Sequence, residues 1–291
     1  MTARAACAAA FIARSGWDRA RRTVVAGDAS NRRYDRLTAP RGETAILMDA
    51  PPDKGEDVRP FVRIATYLKG LGLSAPAILA EDALHGFLLL EDLGDALFDR
   101  VVAATPDTEE TLYNAAIDVL VHLHAAKPPP LATYDGAAMT DLTLLAFDRY
   151  GATATGGTEG REAAQEALHT ALTPLTPSVL IQRDYHAQNL IWLPERDGPA
   201  RVGLLDFQDA MLGHPAYDLC SILMDARRDV PPALQRAMLD RYIAAAGIDD
   251  KDAFTAAYHA LAAQRNLRIL GVFTRLCVRD GKAHYVDLIP R

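Results

Sequence analysis

Two short polar segments hold residues whose types and spacing suit the transfer of a phosphoryl group. Asp184 and Asn189 lie five residues apart between two short apolar runs, and Asp206 follows seventeen residues later, after a third apolar run. Phosphoryl transfer requires a carboxylate that orients the attacking hydroxyl and accepts its proton, and oxygen ligands that hold a divalent metal against the phosphates. We therefore predict Asp184 as the catalytic carboxylate, with Asn189 and Asp206 as ligands of Mg²⁺, which prefers hard oxygen atoms.

The spacing alone does not exclude ordinary loop residues, because Asp and Asn are common in turns. The step from Asp184 to Asn189 is, however, the step between the base and the metal-binding Asn of the protein-kinase catalytic loop. Two such elements in the correct order, after a strand-rich first third, indicate a kinase-like protein. No Ala-Pro-Glu sequence closes an activation segment after residues 206–208, which disfavours a protein kinase.

The elements that must position these residues form two groups, and the first is rich in strands. Apolar and alternating runs predict five strands, and apolar residues at every third or fourth position after residue 57 predict one helix. The predicted strands are 22–26, 32–38, 44–50, 77–81 and 87–91, and the helix is 57–71. We expect residues 1–92 to form a small β-rich N-lobe that binds the nucleotide.

Helical periodicity dominates the second group, residues 93–291. The predicted helices are 108–126, 141–150, 161–172, 216–227, 233–246 and 252–277, and the short strands are 179–181, 190–193 and 202–207. We expect a larger helical C-lobe that carries the catalytic loop and the substrate site. Together the two groups predict an α+β, bilobal fold.

The first 17 residues allow two interpretations. An alanine-rich run after Arg4 resembles a weak signal peptide, although the run is short and Arg14 interrupts the segment after it. We prefer a helix that packs Phe11, Ile12 and Trp17 against the next element. No stretch of the chain approaches the roughly 20 apolar residues of a membrane span.

The bulk composition disfavours several classes of function. The 291 residues carry a net charge of −7, which argues against binding nucleic acid through a basic surface. The three cysteines are scattered and belong to no metal-binding motif, which fits a reducing cytoplasm better than a disulfide framework or a zinc site. No pattern indicates a membrane protein or an obligate protein partner.

The segments around the candidate residues resemble the aminoglycoside phosphotransferase family, which has a protein-kinase-like fold. The resemblance rests on residues 184–189, 205–210 and 213–219. Four further segments are similar to the bacterial amino-sugar kinases of cell-wall (peptidoglycan) recycling, which act on N-acetylmuramate and N-acetylglucosamine. These segments are 26–34, 47–52, 89–94 and 263–267. The resemblance spans nearly the whole chain and implies an ATP-dependent kinase of an amino sugar.

The resemblance also implies residues that bind the nucleotide. The loop over the ATP phosphates would consist of Gly27, Asp28, Ala29 and Ser30. Small residues and backbone N–H groups there allow close approach to anions. Glu91 and Leu93 would lie in the hinge that offers backbone groups to adenine, and Asp218 would brace the catalytic loop as a structural residue. Without the resemblance, the loop is only a turn and the hinge only a strand end.

One residue of the kinase pattern is missing. Kinases normally hold the phosphates with a lysine of the third strand that pairs with a helix glutamate, but residues 45–49 contain no lysine and the next helix has no glutamate after its first turn. Either the protein is a catalytically weak, nucleotide-binding pseudokinase or another cation replaces the lysine. The candidates are Arg32, Arg33 and Lys54, and the sequence does not distinguish among them.

The acceptor prediction rests on the last long helix. Arg265 can bind a carboxylate through two hydrogen bonds and Asn266 can bond an acetamido group, so we expect both to recognise the sugar beside Asp184. Ordinary helix-surface residues are the alternative. The resemblance suggests the anomeric hydroxyl as acceptor and a sugar 1-phosphate as product. Aminoglycosides, choline or another small alcohol remain alternative substrates. The chain stops at Arg291, where relatives commonly continue, so part of the substrate-side surface is expected to be missing or replaced.

Overall fold

The computed structural model describes residues 2–27, 31–154 and 156–289. The chain divides into two compact units. The first comprises Met1–Ala96 with Leu193–Asp209, and the second comprises Leu97–Trp192 with Ala210–Arg291. Both units are discontinuous in sequence, whereas the predicted division after residue 92 is a single cut and stays a prediction.

The first unit is built on an antiparallel sheet of five strands. The strands are β1 (Arg21–Gly27), β2 (Arg33–Thr38), β3 (Thr44–Asp49), β4 (Ile78–Asp82) and β5 (Phe87–Glu91), in the spatial order β1-β2-β3-β5-β4. Each was predicted from its apolar pattern, and no bound shifts by more than one residue. β2 alternates buried and partly exposed side chains, as expected for a strand with one face packed on a core, whereas β3 also buries two consecutive residues, Leu47 and Met48.

Two helices accompany this sheet. In α1 (Ala3–Arg14) the Phe11 ring is buried and stacks on Phe87 of β5 at 5.7 Å between centroids. Ile12 and Trp17 pack against the same core cluster, so the expected N-terminal helix is present. In α2 (Arg59–Gly70) one apolar face is buried. It begins two residues later than predicted, and the Asp57 carboxylate accepts the Arg59 N–H at 2.9 Å.

The second unit is mainly helical. Its helices are α3 (Phe98–Ala104), α4 (Glu109–Ala125), α5 (Gly136–Thr143), α6 (Ala152–Ala154), α7 (Arg161–Leu172), α8 (Ala216–Leu223), α9 (Pro232–Ala245) and α10 (Lys251–Asp280). The remaining strands are β6 (Val179–Ile181), β7 (Leu190–Trp192), β8 (Val202–Leu204) and β9 (Met211–Gly213), of which β8 belongs to the first unit. The long helix α10 packs against α5, α7 and α8, and β6 pairs with β9. None of the helices in the described ranges is long and apolar enough to cross a membrane.

Several elements of this unit differ from the predictions. The helix predicted at 141–150 is replaced by α5, which ends at Thr143, and by a π-helical turn at Ala146–Gly151. The predicted helix 216–227 ends at Leu223, while α10 continues to Asp280. Neither α3 nor β9 was predicted, because each is too short to show a clear periodicity.

The segment Leu193–Asp209 joins the first unit through specific contacts. The Leu204 N–H donates to the Ser74 carbonyl at 2.9 Å, and the Phe207 ring packs on Phe61 of α2 at 4.8 Å. The strand predicted at 202–207 ends early, since Asp206 has a φ of +54°. A positive φ is incompatible with an extended strand.

Candidate active site

The segment that follows β6 is held by a buried carboxylate of α8. The two oxygens of Asp218 accept backbone N–H groups, from Gln182 at 2.6 Å and from Arg183 at 3.0 Å. Asp218 is fully buried, and burial raises its pKa to about 7 although the two N–H bonds and Arg265 favour the charged form. These contacts support the structural role predicted for Asp218.

Arg183 adopts a strained backbone next to the predicted base. Its φ is +72°, a left-handed conformation that residues with a long side chain rarely adopt. The guanidinium lies over the Tyr134 ring, 5.3 Å from its centroid. The left-handed conformation of Arg183 occurs immediately before Asp184, and the hydrogen bonds of Gln182 and Arg183 to Asp218 hold it in place.

Asp184 and Asn189 are brought together within this loop. The Asn189 Nδ2 donates to the Asp184 carbonyl at 2.9 Å and lies 3.3 Å from His186 Nε2. Because the amide nitrogen is engaged in this way, the carbonyl oxygen Oδ1 is the Asn189 atom suited to a cation. Burial, with Arg227 and Arg265 nearby, lowers the pKa of His186 well below its usual value. His186 is 4% exposed and packs inside the loop, and its role as a loop-packing residue stays a prediction.

A second buried carboxylate, Asp225, braces the same loop and was not predicted. Its Oδ2 accepts the Ala187 N–H at 3.3 Å and its Oδ1 accepts the Arg227 N–H at 2.8 Å. Asp225 is 5% exposed, and burial raises its pKa. Asp225 lies two residues past the end of α8 and outside the helix, so no helical spacing in the sequence signalled it.

In the first unit, Asp206 lies on a tight turn, and the side chains of Gln208 and Arg32 lie near its carboxylate. Gln208 Nε2 donates to Asp206 Oδ1 at 2.6 Å, and Arg32 Nη1 lies 4.0 Å from the same oxygen. Phe207 between them is fully buried, which anchors the turn. A carboxylate on a rigid turn, with a positive charge close by, is suited to holding a metal-bound phosphate.

The three candidate cations have different surroundings. Arg32 forms an ion pair with Glu56, with Nε 2.8 Å from Oε2. Arg33 pairs with the buried Asp35 and its side chain is 55% exposed. Lys54 lies in an exposed 3₁₀ turn. Of the three, only Arg32 is found within 4.0 Å of Asp206 among the described ion pairs.

The predicted phosphate loop and hinge are described in part. Gly27 ends β1, whereas Asp28, Ala29 and Ser30 lie outside the described residues. Both oxygens of Glu91 at the end of β5 are engaged, by the Arg196 guanidinium at 2.6 Å and by the Ala77 N–H at 3.0 Å. Leu93 is 8% exposed.

The chain directly after Glu91 is tied to the sheet by one arginine of β2. Arg36 Nε lies 2.6 Å from Asp92 Oδ2, and its Nη1 lies 2.8 Å from Asp95 Oδ2. Each of the two carboxylates contacts two nitrogen atoms of the planar Arg36 guanidinium. These side-chain contacts connect the predicted hinge segment to β2.

The two predicted sugar-binding residues differ in accessibility. Arg265 is 3% exposed, and its Nη1 donates to the Met224 carbonyl at 3.3 Å. This burial favours a bracing role near Asp218 and Asp225, and the role of Arg265 in sugar recognition stays a prediction. Asn266 is partly exposed and lines a cavity of about 610 Å³ between α10 and the segment after α8.

Comparison of the sequence with known families and proteins agrees with the predicted resemblance. The phosphotransferase enzyme family (APH) matches residues 21–262. The N-acetylmuramate/N-acetylglucosamine kinase of Caulobacter vibrioides is 43% identical over 99% of this chain and 90% of its own length. The kinase of the same name from Pseudomonas putida is 35% identical over 92% of this chain and 80% of its own length.

Solved structures with a similar fold are more distant in sequence. A choline kinase from Streptococcus pneumoniae aligns with a TM-score of 0.69 at 12% identity, over 100% of this chain and 97% of its own. The GDP complex of the wild-type aminoglycoside 2′-phosphotransferase-IIIa aligns with a TM-score of 0.67 at 15% identity, over 99% and 98%. At such identities the likeness concerns the fold alone, and it confirms the predicted α+β, protein-kinase-like architecture.

Proposed function

We propose a substrate and a set of catalytic residues for this protein, which belongs to the phosphotransferase enzyme family. The protein transfers a phosphoryl group from ATP to a hydroxyl of an amino sugar, namely the anomeric hydroxyl of N-acetylmuramate or N-acetylglucosamine. The observation that carries this proposal is the 43% identity, over nearly the whole chain, to a kinase named for these two sugars. A sugar 1-phosphate would then be the product, and the reaction would belong to peptidoglycan recycling.

Asp184 is the proposed general base. Its carboxylate orients the sugar hydroxyl and accepts the proton as the hydroxyl oxygen attacks phosphorus. The loop is suited to this task because Asp218 and Asp225 hold the backbone on both sides of Asp184. A base fixed by its backbone loses little orientational freedom when the substrate binds.

Asn189 and Asp206 are the proposed ligands of the metal. The family uses ATP with a divalent metal, and amide and carboxylate oxygens fit magnesium. When bound, the ion neutralises charge on the phosphates. The bond from the Asn189 amide nitrogen to the Asp184 carbonyl orients the side chain, and the bond from Gln208 orients the carboxylate of Asp206.

The nucleotide and the sugar are assigned to the remaining predicted residues. Backbone groups at Glu91 and Leu93 bind adenine, and the loop 27–30 covers the phosphates. Asn266 is the more accessible of the two sugar-binding candidates, because it is partly exposed at a cavity, whose lining does not include Asp184, while Arg265 is buried. Arg265 is better placed to stabilise the catalytic loop, because its charge favours the charged forms of Asp218 and Asp225, which hold that loop.

An acceptor screen tests this proposal. ADP formation is measured with N-acetylmuramate, N-acetylglucosamine, unacetylated glucosamine, an aminoglycoside and choline, and phosphorus NMR then locates the new phosphate. We expect turnover with the two N-acetyl sugars and a phosphorus signal coupled to the anomeric proton. Asp184→Ala, as the matched control, should reduce kcat by about 10³-fold or more. Turnover with choline or the aminoglycoside alone, or none with any acceptor, would overturn the proposed substrate.

A further inference from the structure

We propose that Arg32 is the cation that binds the nucleotide phosphates in place of the missing third-strand lysine, and that Glu56 is the carboxylate that positions it. This inference rests on the proposed function, because it concerns the nucleotide of the same reaction. It adds a role for Glu56, which precedes α2 and carries no signal of its own in the sequence. Four structural features of the first unit support this proposal.

The third strand itself cannot supply the charge. β3 ends at Asp49, whose carboxylate is bound by the Arg4 guanidinium, with Nε and Nη2 at 2.9 and 2.6 Å. An acidic residue that is already paired stands at the end of the strand. The phosphates therefore need a positive charge from a neighbouring element.

The register of the sheet brings Arg32 to this position. β2 runs antiparallel to β3, and Arg33 lies opposite Asp49. Arg32 precedes β2 by one residue, so it lies at the end of the sheet where β3 finishes. Only Asn31 separates it from the segment 27–30 that the resemblance assigns to the phosphate loop.

The ion pair between Arg32 and Glu56 is suited to holding the Arg32 side chain in one position. Arg32 Nε lies 2.8 Å from Glu56 Oε2, and the two side chains are only 12% and 11% exposed. The other oxygen of Glu56 accepts the Asn31 N–H at 3.0 Å, so the carboxylate is itself held by the backbone. Burial opposes the charge of Arg32, yet Tyr34 and Glu56 outweigh it and raise the pKa of the guanidinium.

The far end of Arg32 lies beside the proposed metal ligand. The ion pair uses Nε, and Nη1 lies 4.0 Å from Asp206 Oδ1. A phosphate whose oxygens bind a metal at Asp206 would lie within reach of this guanidinium, and planar guanidinium groups bind phosphate oxygens in pairs. Arg33 has the buried Asp35 as its partner, and Lys54 extends from an exposed turn.

The test measures ATP affinity and turnover for Arg32→Ala, Arg32→Lys and Glu56→Gln. Arg59→Ala is the matched control, because this arginine follows Glu56 closely, pairs with Asp57 and is 77% exposed. We expect Arg32→Ala to raise both the Kd for ATP and the KM for ATP by about 10- to 100-fold, the loss typical of charge-assisted hydrogen bonds. Arg32→Lys should recover part of this loss, and Arg59→Ala should stay within about twofold of the wild type.

Glu56 is tested as a positioning residue by its dependence on Arg32. Glu56→Gln should raise the KM for ATP while the KM for the sugar stays unchanged. In the Arg32→Ala background it should have little further effect, because its partner is already absent. Equal losses in both backgrounds would show that Glu56 acts independently and would overturn its positioning role.

The outcomes separate this inference from the proposed function. ATP binding is measured without any sugar, so a weakened Arg32→Ala variant supports the inference even if no amino sugar is phosphorylated. Conversely, if the wild type phosphorylates the sugar while Arg32→Ala binds ATP normally, the inference fails and the function stands. A large loss for Arg33→Ala or Lys54→Ala, with none for Arg32→Ala, would likewise overturn it. Arg32→Lys covers the case in which the alanine variant does not fold.

Discussion

Arg183 and Asp206 are the two non-glycine residues of the described ranges with positive φ. One immediately precedes the proposed base and the other is a proposed metal ligand. Each conformation costs on the order of 1–3 kcal/mol, and such strain persists only where surrounding contacts over-determine it. Asp218 supplies that contact for Arg183, and Gln208 supplies it for Asp206. The strain supports the view that these backbone positions are set for function.

The buried carboxyl of Asp218 makes a prediction about pH. Its pKa rises from 3.8 to about 7 on folding. Between these values the folded protein keeps a proton that the unfolded chain has lost. The free energy of unfolding that Asp218 contributes therefore falls as the pH rises through this window, and it is constant above the folded pKa.

Comparison with Asp218→Asn isolates this contribution. We expect the wild type to lose stability relative to the variant between about pH 4 and pH 7, with no further change above about pH 8. Urea unfolding of both proteins across this range measures the difference. Asp225→Asn should show a change of the same sign, because burial raises the pKa of Asp225 as well. A difference that is independent of pH, or that grows in favour of the wild type, would contradict the assignment.

At the scale of elements, α10 is the helix on which the second unit depends, and its approach to the π-helical region is unusually close. A Cβ at Gly271 would lie 2.4 Å from the carbonyl carbon of Leu145. Backbone atoms cannot move aside as a flexible side chain can. Glycine is therefore required at the point where α10 passes the chain before the Ala146–Gly151 turn.

Gly271→Ala is expected to lower the free energy of unfolding by about 1–3 kcal/mol, the usual cost of overpacking. Chemical denaturation measures this change. Gly70→Ala is the matched control, because Gly70 is also helical and no heavy atom lies within 4 Å of the position that its Cβ would occupy. That variant should be neutral or stabilised by up to about 1 kcal/mol. Equal effects at the two positions would show that helix propensity, and not the contact with Leu145, determines the result.

At the scale of the whole molecule, the proposed catalytic residues are divided between the two compact units. Asp184 and Asn189 belong to the second unit, and Asp206 with Arg32 belongs to the first. The chain reaches this division by returning to the first unit for Leu193–Asp209. A ligand that binds only the folded protein stabilises it by mass action.

A ligand at 100 times its Kd stabilises the folded protein by about 2.7 kcal/mol. We therefore expect ATP and Mg²⁺ together to raise the Tm of the protein by several degrees. Thermal unfolding with ATP alone, with Mg²⁺ alone, with both, and with both plus EDTA measures this effect. Asp206→Ala should lose the part that depends on Mg²⁺, whereas Asp209→Ala, three residues away on the exposed part of the turn, should keep it. An ATP-induced shift that EDTA leaves unchanged would contradict the metal assignment.

Much of the fold could be predicted because the signals are local. The helix Arg161–Leu172 and the strand Val179–Ile181 were predicted with the bounds that the structure has. The spacing of Asp184, Asn189 and Asp206 indicated phosphoryl transfer without any structure. The break of β8 at Asp206 and the π-helical turn after α5 could not be predicted, because a positive φ and a close helix contact leave no periodic pattern.

The sequence by itself determined most of the elements and their order, the family and the candidate residues of the reaction, because periodicity, turn chemistry and short motifs depend on residues that are near one another in the chain. Only the tertiary structure decided which of three cations lies against Asp206, that Arg265 is buried, and that Glu56 and Asp225 hold neighbouring groups. These facts depend on contacts between residues that are 24 to 174 positions apart. A side chain's partner over such a distance is set by the packing of whole elements, which no local pattern records.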